Sequence, residues 1–102
     1  METQEKDIFQ LIAISGDSRG AAFAALRLAR KKKYDEATQK LEEARLKATE
    51  AHNIQTALIT KEINGDSDPV TLLGVHAQDH LMTTLLARDL IEELIMYMEE
   101  RD

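Results

Sequence analysis

Eight consecutive residues, Val75-His76-Ala77-Gln78-Asp79-His80-Leu81-Met82, set two imidazoles and a carboxylate into an otherwise largely apolar stretch. His76 and His80 are spaced i, i+4, and His76 and Asp79 i, i+3, so on a helix the three side chains share one broad face. An imidazole titrates near neutral pH, which suits it to nucleophilic attack, proton transfer or metal ligation. As a metal site the set is incomplete. It lacks the Glu directly after the first His that a zinc-peptidase helix uses, and the inward carboxylates on neighbouring helices of a di-iron bundle. A metal-dependent hydrolase built on His76, His80 and Asp79 would also need a general base beside an open ligand position, and none is evident. The plainer alternative is a pair of hydrogen-bonded core histidines.

Other nucleophiles are few. The chain has no cysteine, so disulfides, thiolate metal sites and Cys nucleophiles are excluded. Ser15, Ser18 and Ser67 sit in no Gly-x-Ser-x-Gly elbow, and glycines 16, 20, 65 and 74 form no phosphate-binding fingerprint.

The elements that must carry the histidines are helical. Glycine and proline are sparse, and long runs of good helix formers lie between them. Three helices are predicted: about Thr3–Lys32, Asp35–Ile63 and Val70–Arg101. The first carries the stripe Ile8, Leu11, Ile12, Ser15, Ala22, Ala25, Leu26 and Ala29, with Gly16 placed to bend it or to admit a close neighbour. The second carries Ala37, Leu41, Ala44, Ala48, Ala51, Gln55, Leu58 and Ile59. The third follows the turn cluster Asn64-Gly65-Asp66-Ser67-Asp68-Pro69. Short connections make successive helices antiparallel, so the expected fold is all-α: a single up-down-up three-helix bundle over residues 1–102. Lys31-Lys32-Lys33 at the end of the first helix complements the macrodipole, and as a patch it could also meet an acidic partner.

On the third helix, stepping about 100° per residue from Asp79 gathers Leu72, His76, Thr83, Leu86, Leu90, Leu94 and Tyr97 near it. A second apolar sector holds Leu73, Ala77, Thr84, Ile91, Ile95 and Met98, and Gln78, Arg88, Asp89, Glu92 and Glu99 fall in the sector left for water. One stripe is enough for a three-helix monomer, so the second predicts a homo-oligomer with third helices packed together. Asp79 lies at the centre of the apolar arc, where an ionised carboxylate is costly unless paired or metal-bound. Copies of Asp79 converging on a symmetry axis would repel or take a cation, and oxygen ligands favour a hard ion such as Mg²⁺ or Ca²⁺. The alternative is a carboxylate turned aside to a local Lys or Arg.

Composition bounds the remainder. Of 102 residues, 43% are hydrophobic and 31% charged, and the formal charge is −6. That balance argues against disorder and against nucleic-acid binding. No apolar run approaches the ~18 residues of a transmembrane helix, and no signal-peptide pattern opens the sequence, so a cytoplasmic location is expected.

With these residues in view, the chain resembles the lactose/cellobiose (chitobiose)-type IIA component of the bacterial phosphoenolpyruvate-dependent sugar phosphotransferase system. The likeness spans nearly the whole chain and is strongest over Leu72–Leu86, where Val75-His76-Ala77-Gln78-Asp79-His80-Leu81-Met82-Thr83-Thr84 reads almost letter for letter as the family signature. Gly16-Asp17-Ser18-Arg19 and Ala51-His52-x-x-Gln55-Thr56 support it. The resemblance implies a homotrimer and phosphorylation of His76, at Nε2, by the phosphocarrier HPr. It also implies onward transfer to a cysteine of a IIB component, and one Mg²⁺-like ion held on the axis by Asp79 of three subunits. His80 corresponds to a second family histidine with an assisting role, and Gln78 belongs to the motif. A membrane IIC permease would supply sugar specificity, so cellobiose, chitobiose and lactose are equivalent at this level. Three positions depart from the pattern. Lys32-Lys33-Tyr34 stands where a Gly-Asp-Phe-type turn is common, which removes a helix N-cap. Gly20 replaces a better helix former, and Gly74 replaces a larger apolar residue. The competing reading is a non-enzymatic helical interaction module.

Overall fold

The computed structural model describes residues 2–102, with side chains from residue 4 onward; Met1, the first residue of the expected domain, lies outside. Three helices run α1 Glu2–Arg30, α2 Tyr34–Ile63 and α3 Leu72–Arg101. They alternate in direction and build a rod of 52 × 19 × 18 Å. The expected elements are all present, with no end shifted by more than two residues.

The shifts have local causes. α3 begins at Leu72 rather than Val70 because Thr71 is extended (φ −118°, ψ 162°) and its Oγ1 accepts the Gly74 N–H. That bond, 3.1 Å long, satisfies one of the donors a helix start leaves orphaned. α1 closes in a Schellman motif, with the Lys33 N–H on the Leu28 carbonyl at 3.0 Å and the Lys32 N–H on Ala29 at 2.9 Å. The left-handed residue such a motif needs is Lys32, at φ 61°. A lysine therefore occupies the position that the resemblance assigns to glycine. Lys33 then precedes α2 without a side-chain cap bond, in line with the expected loss of the N-cap.

The core is split. One cluster unites Ala21, Ala22, Ala25, Ala29, Ala37, Ala44, Ile91 and Ile95, and its alanines let the helices approach closely. The other unites Ile8, Leu11, Ile14, Ala51, Ala77 and Leu81. Three fully buried polar residues join them: Ser15, Ser18 and Thr84. Ser18 Oγ donates to the Ala44 carbonyl at 2.7 Å, and Thr84 Oγ1 to the Ser15 carbonyl at 3.4 Å. The Ser15 hydroxyl, although buried, has no hydrogen-bond partner among the described residues.

Candidate functional site

The two apolar sectors of α3 separate, except that Leu73 of the inward one is exposed. Ala77, Thr84, Ile91 and Ile95 are buried against the other helices, whereas Leu72, Leu86, Leu90, Leu94 and Tyr97 of the Asp79 sector are exposed. A protomer thus shows water a continuous apolar band on one side of α3, broader than the single exposed residues common on monomers.

His76 lies at the border of that band, in the second turn of α3, with its ring exposed; His80, one turn on, is half-buried. The imidazoles are parallel, 5° between planes, with centroids 6.0 Å apart. His80 nests against α1 at Gly16, where a Cβ would lie 3.6 Å from its Nε2. Gly16 thus has a close neighbour in His80, at ordinary contact distance. Neither histidine is a core residue, and among the described residues no side-chain hydrogen bond ties down either ring. This leaves the His76 ring nitrogens open to a reactant.

Asp79 is exposed within the same band, and among the described residues its carboxylate makes no ion pair. No three His, Asp or Glu side chains among the described residues gather into a metal site within one protomer. A protomer thus offers a single carboxylate, an incomplete donor set for a hard divalent ion. Only repetition of Asp79 by neighbouring copies would complete it. Thr83 Oγ1, which shares the band, donates to the carbonyls of Asp79 at 2.9 Å and His80 at 3.2 Å.

Gln78 departs from the wheel expectation. Rather than facing water it is half-buried and accepts a hydrogen bond from Gln55 Nε2 of α2 at 2.6 Å. The same nitrogen contacts Met82 Sδ at 3.7 Å. The amide pair braces α2 to α3 on the side of the helix away from the histidines. It also explains why Gln55, a polar residue, falls on the inward stripe of α2. Arg88, placed in the same solvated sector, is also largely covered: its side chain is 17% exposed and reaches Asp89 at 3.0 Å and Glu92 at 3.3 Å.

Beside His76 runs an open groove lined by Leu72, Leu73, Val75, His76 and Asp79. A separate cleft lies under the α2–α3 connection, against Ile8, Leu58, Pro69, Thr71 and Gly74. It bears no histidine. Its edge is held by the Asp68 N–H, which donates to Gln4 Oε1 at 3.0 Å. Among the described residues no helix is long and apolar enough to cross a membrane.

An exposed imidazole at the rim of an apolar band, with a second held parallel behind it, suits a group carrier that hands its cargo between protein partners. Known proteins point the same way. Residues 6–99 match the family described as PTS system, Lactose/Cellobiose specific IIA subunit. The chain is 39% identical over 99 residues to the lichenan-specific phosphotransferase enzyme IIA component of Bacillus subtilis (strain 168), covering 97% of this chain and 90% of that protein. It is 41% identical over 99 residues to the N,N'-diacetylchitobiose-specific EIIA component of Escherichia coli (strain K12), covering 97% and 85%. The crystal structure of the cellobiose-specific enzyme IIA from Bacillus anthracis superposes with a TM-score of 0.93 at 38% identity, over 98% of this chain and 92% of that one. The solution structure of the Escherichia coli IIA(Chitobiose)–HPr complex superposes at 0.83 and 40% identity, over 95% and 94%.

Proposed function

We propose that this chain, which belongs to the lactose/cellobiose-specific IIA subunit family of the phosphotransferase system, carries its phosphoryl group on His76. The chain is a phosphocarrier that receives the group from HPr and passes it to a IIB component during disaccharide uptake. The carrying observation is the exposed His76 ring, parallel to His80 at 6.0 Å.

In the first transfer, the lone pair of neutral His76 Nε2 forms a new N–P bond as the bond between phosphorus and the HPr donor atom breaks. The electron pair of the broken bond stays with HPr. The second transfer reverses the roles: a thiolate of IIB attacks phosphorus and His76 leaves. Both steps depend on positioning and charge stabilisation more than on covalent chemistry by the surrounding protein. His80, one turn along α3, supplies an N–H donor toward the phosphoryl oxygens. Gln78, bonded to Gln55, holds the backbone on which both histidines stand.

The exposed apolar sector of α3 supports a homotrimer in which third helices meet, working in the cytoplasm with a membrane IIC permease. In that trimer three copies of Asp79 would hold one Mg²⁺. Such an ion supplies the positive charge that three converging carboxylates require.

The test is phosphoryl transfer from phosphoenolpyruvate through Enzyme I and HPr. The wild-type chain takes up acid-labile phosphate and His76→Gln takes up none; wild-type labelling of His76→Gln overturns the assignment. For the axis, Asp79→Leu loses bound metal and keeps the trimer. Dissociation of Asp79→Leu to monomers counts against an axial carboxylate.

A further inference from the structure

We propose that Phe9 on α1 is a docking anchor for HPr, a role that rests on the reading of His76 as the phosphoryl carrier. Phe9 belongs to neither core cluster and is 53% exposed.

Its direction follows from Gly16, whose Cβ position faces His80 Nε2 at 3.6 Å. Phe9 precedes Gly16 by seven residues, about 20° short of two full helical turns. Its side chain therefore leaves α1 on nearly the same side, toward the edge of α3 that bears the histidines. α1 and α3 run in the same direction. Moving toward their N-termini, Phe9 lies about 10 Å below Gly16, and His76 about 6 Å below His80. Phe9 and His76 are thus within about 5 Å of one level along the rod, across one interhelical spacing of about 8–10 Å.

Transfer between two proteins requires that the donor reach bonding distance of His76. A standard interface covers about 800 Å² on each partner, a patch of about 16 Å radius. A donor centred on His76 therefore covers Phe9. Exposed aromatics in the interior of such patches carry a disproportionate share of binding energy. Phe23 serves as the contrast. It follows Gly16 by seven residues on the same side, about 16 Å farther along the rod than the level of His76, and the Arg19 guanidinium lies 5.8 Å over its ring. It falls at or beyond the rim.

The experiment measures phosphoryl transfer to the full chain at varied HPr, using the wild type, Phe9→Ala, Phe9→Leu and Phe23→Ala. Circular dichroism and light scattering verify fold and oligomeric state. Phe9→Ala raises the KM for HPr by about tenfold or more with kcat nearly unchanged. Phe9→Leu recovers part of the loss, and Phe23→Ala matches the wild type. An unchanged KM in Phe9→Ala overturns the proposal, as does an equal loss in Phe23→Ala. A Phe9→Ala chain that changes oligomeric state also overturns it, because Phe9 then faces another copy of this chain. If the wild type accepts no phosphate from HPr, the His76 reading fails separately. Calorimetric binding of unphosphorylated HPr to the same variants then decides Phe9.

Discussion

Gly16 on α1 faces His80 on α3: the His80 Nε2 stands 3.6 Å from where a Gly16 Cβ would be. That distance is ordinary van der Waals contact. Gly16→Ala therefore folds normally and gains helix propensity, about 1 kcal/mol in chemical denaturation. Gly16→Leu has no such room and displaces the ring. It retains helical circular dichroism but slows phosphoryl uptake by about tenfold. A wild-type rate in Gly16→Leu would show that the place of His80 is immaterial to transfer.

The polar belt yields a paired prediction. Ser18 donates a buried hydrogen bond to Ala44 at 2.7 Å, so Ser18→Ala loses about 1 kcal/mol. Ser15 Oγ is buried without a partner among the described residues, so Ser15→Ala is neutral or stabilising by up to about 1 kcal/mol. Urea unfolding of both variants checks the order, and a larger loss in Ser15→Ala would contradict the hydrogen-bond assignment.

Lys32 holds a backbone conformation that suits glycine, with φ at 61°. Lys32→Gly relieves that strain and gives up only a solvent-exposed ion pair to Asp102, of the kind that contributes little. The thermal midpoint rises by about 3 °C at fixed protein concentration. A lower midpoint would mean that the ion pair outweighs the backbone term.

The same ion pair sets a pH dependence. The hydrogen bond from Lys32, 2.9 Å from the carboxylate, holds Asp102 below its ordinary range and raises Lys32 above its own. A depressed acid stabilises the fold above its unfolded pKa and loses that contribution as pH falls through the folded value. A raised lysine contributes below its unfolded pKa and loses that contribution as pH rises through the folded value. The pair thus acts across the neutral range and fades at both extremes, below about pH 4 and above about pH 10. In Lys32→Ala the Asp102 carboxyl titrates closer to its ordinary value by NMR, and the stability difference from wild type narrows in acid.

How much of this was legible beforehand varies with the kind of interaction. The division of α3 into an inward sector with Ala77 and Ile91 and an outward one with Leu86 and Leu90 follows from a 3.6-residue period, because helical geometry alone decides which residues share a side. Pairing between helices does not. Gln78 looks solvated on a wheel, and only the position of Gln55 on α2 gives it a partner. Ser18 fits the α1 stripe by spacing, three residues after Ser15 and four before Ala22, but only the packing of α2 supplies the Ala44 carbonyl that accepts its proton. Lys32 offered no glycine to announce its turn. The Schellman bonds to Leu28 and Ala29 specify a left-handed backbone there whatever the side chain. The histidines were visible because their spacing lies within one helix, whereas the seat of His80 on Gly16 depends on how α1 and α3 pack.

The division of the core into two apolar clusters has a dynamic consequence. The polar belt of Ser15, Ser18 and Thr84 interrupts the apolar continuity that makes a bundle melt as one body, so the halves can open with different free energies. His76 and His80 are borne by the half built on Ile8, Leu11 and Leu81, while Ala25, Ala44 and Ile91 build the other. Amide protons around Leu81 and around Ile91 are therefore expected to exchange with solvent at separate rates, which hydrogen exchange measures. Opening of the half that bears the histidines need not unfold the other, which would let that end adjust to two successive partners.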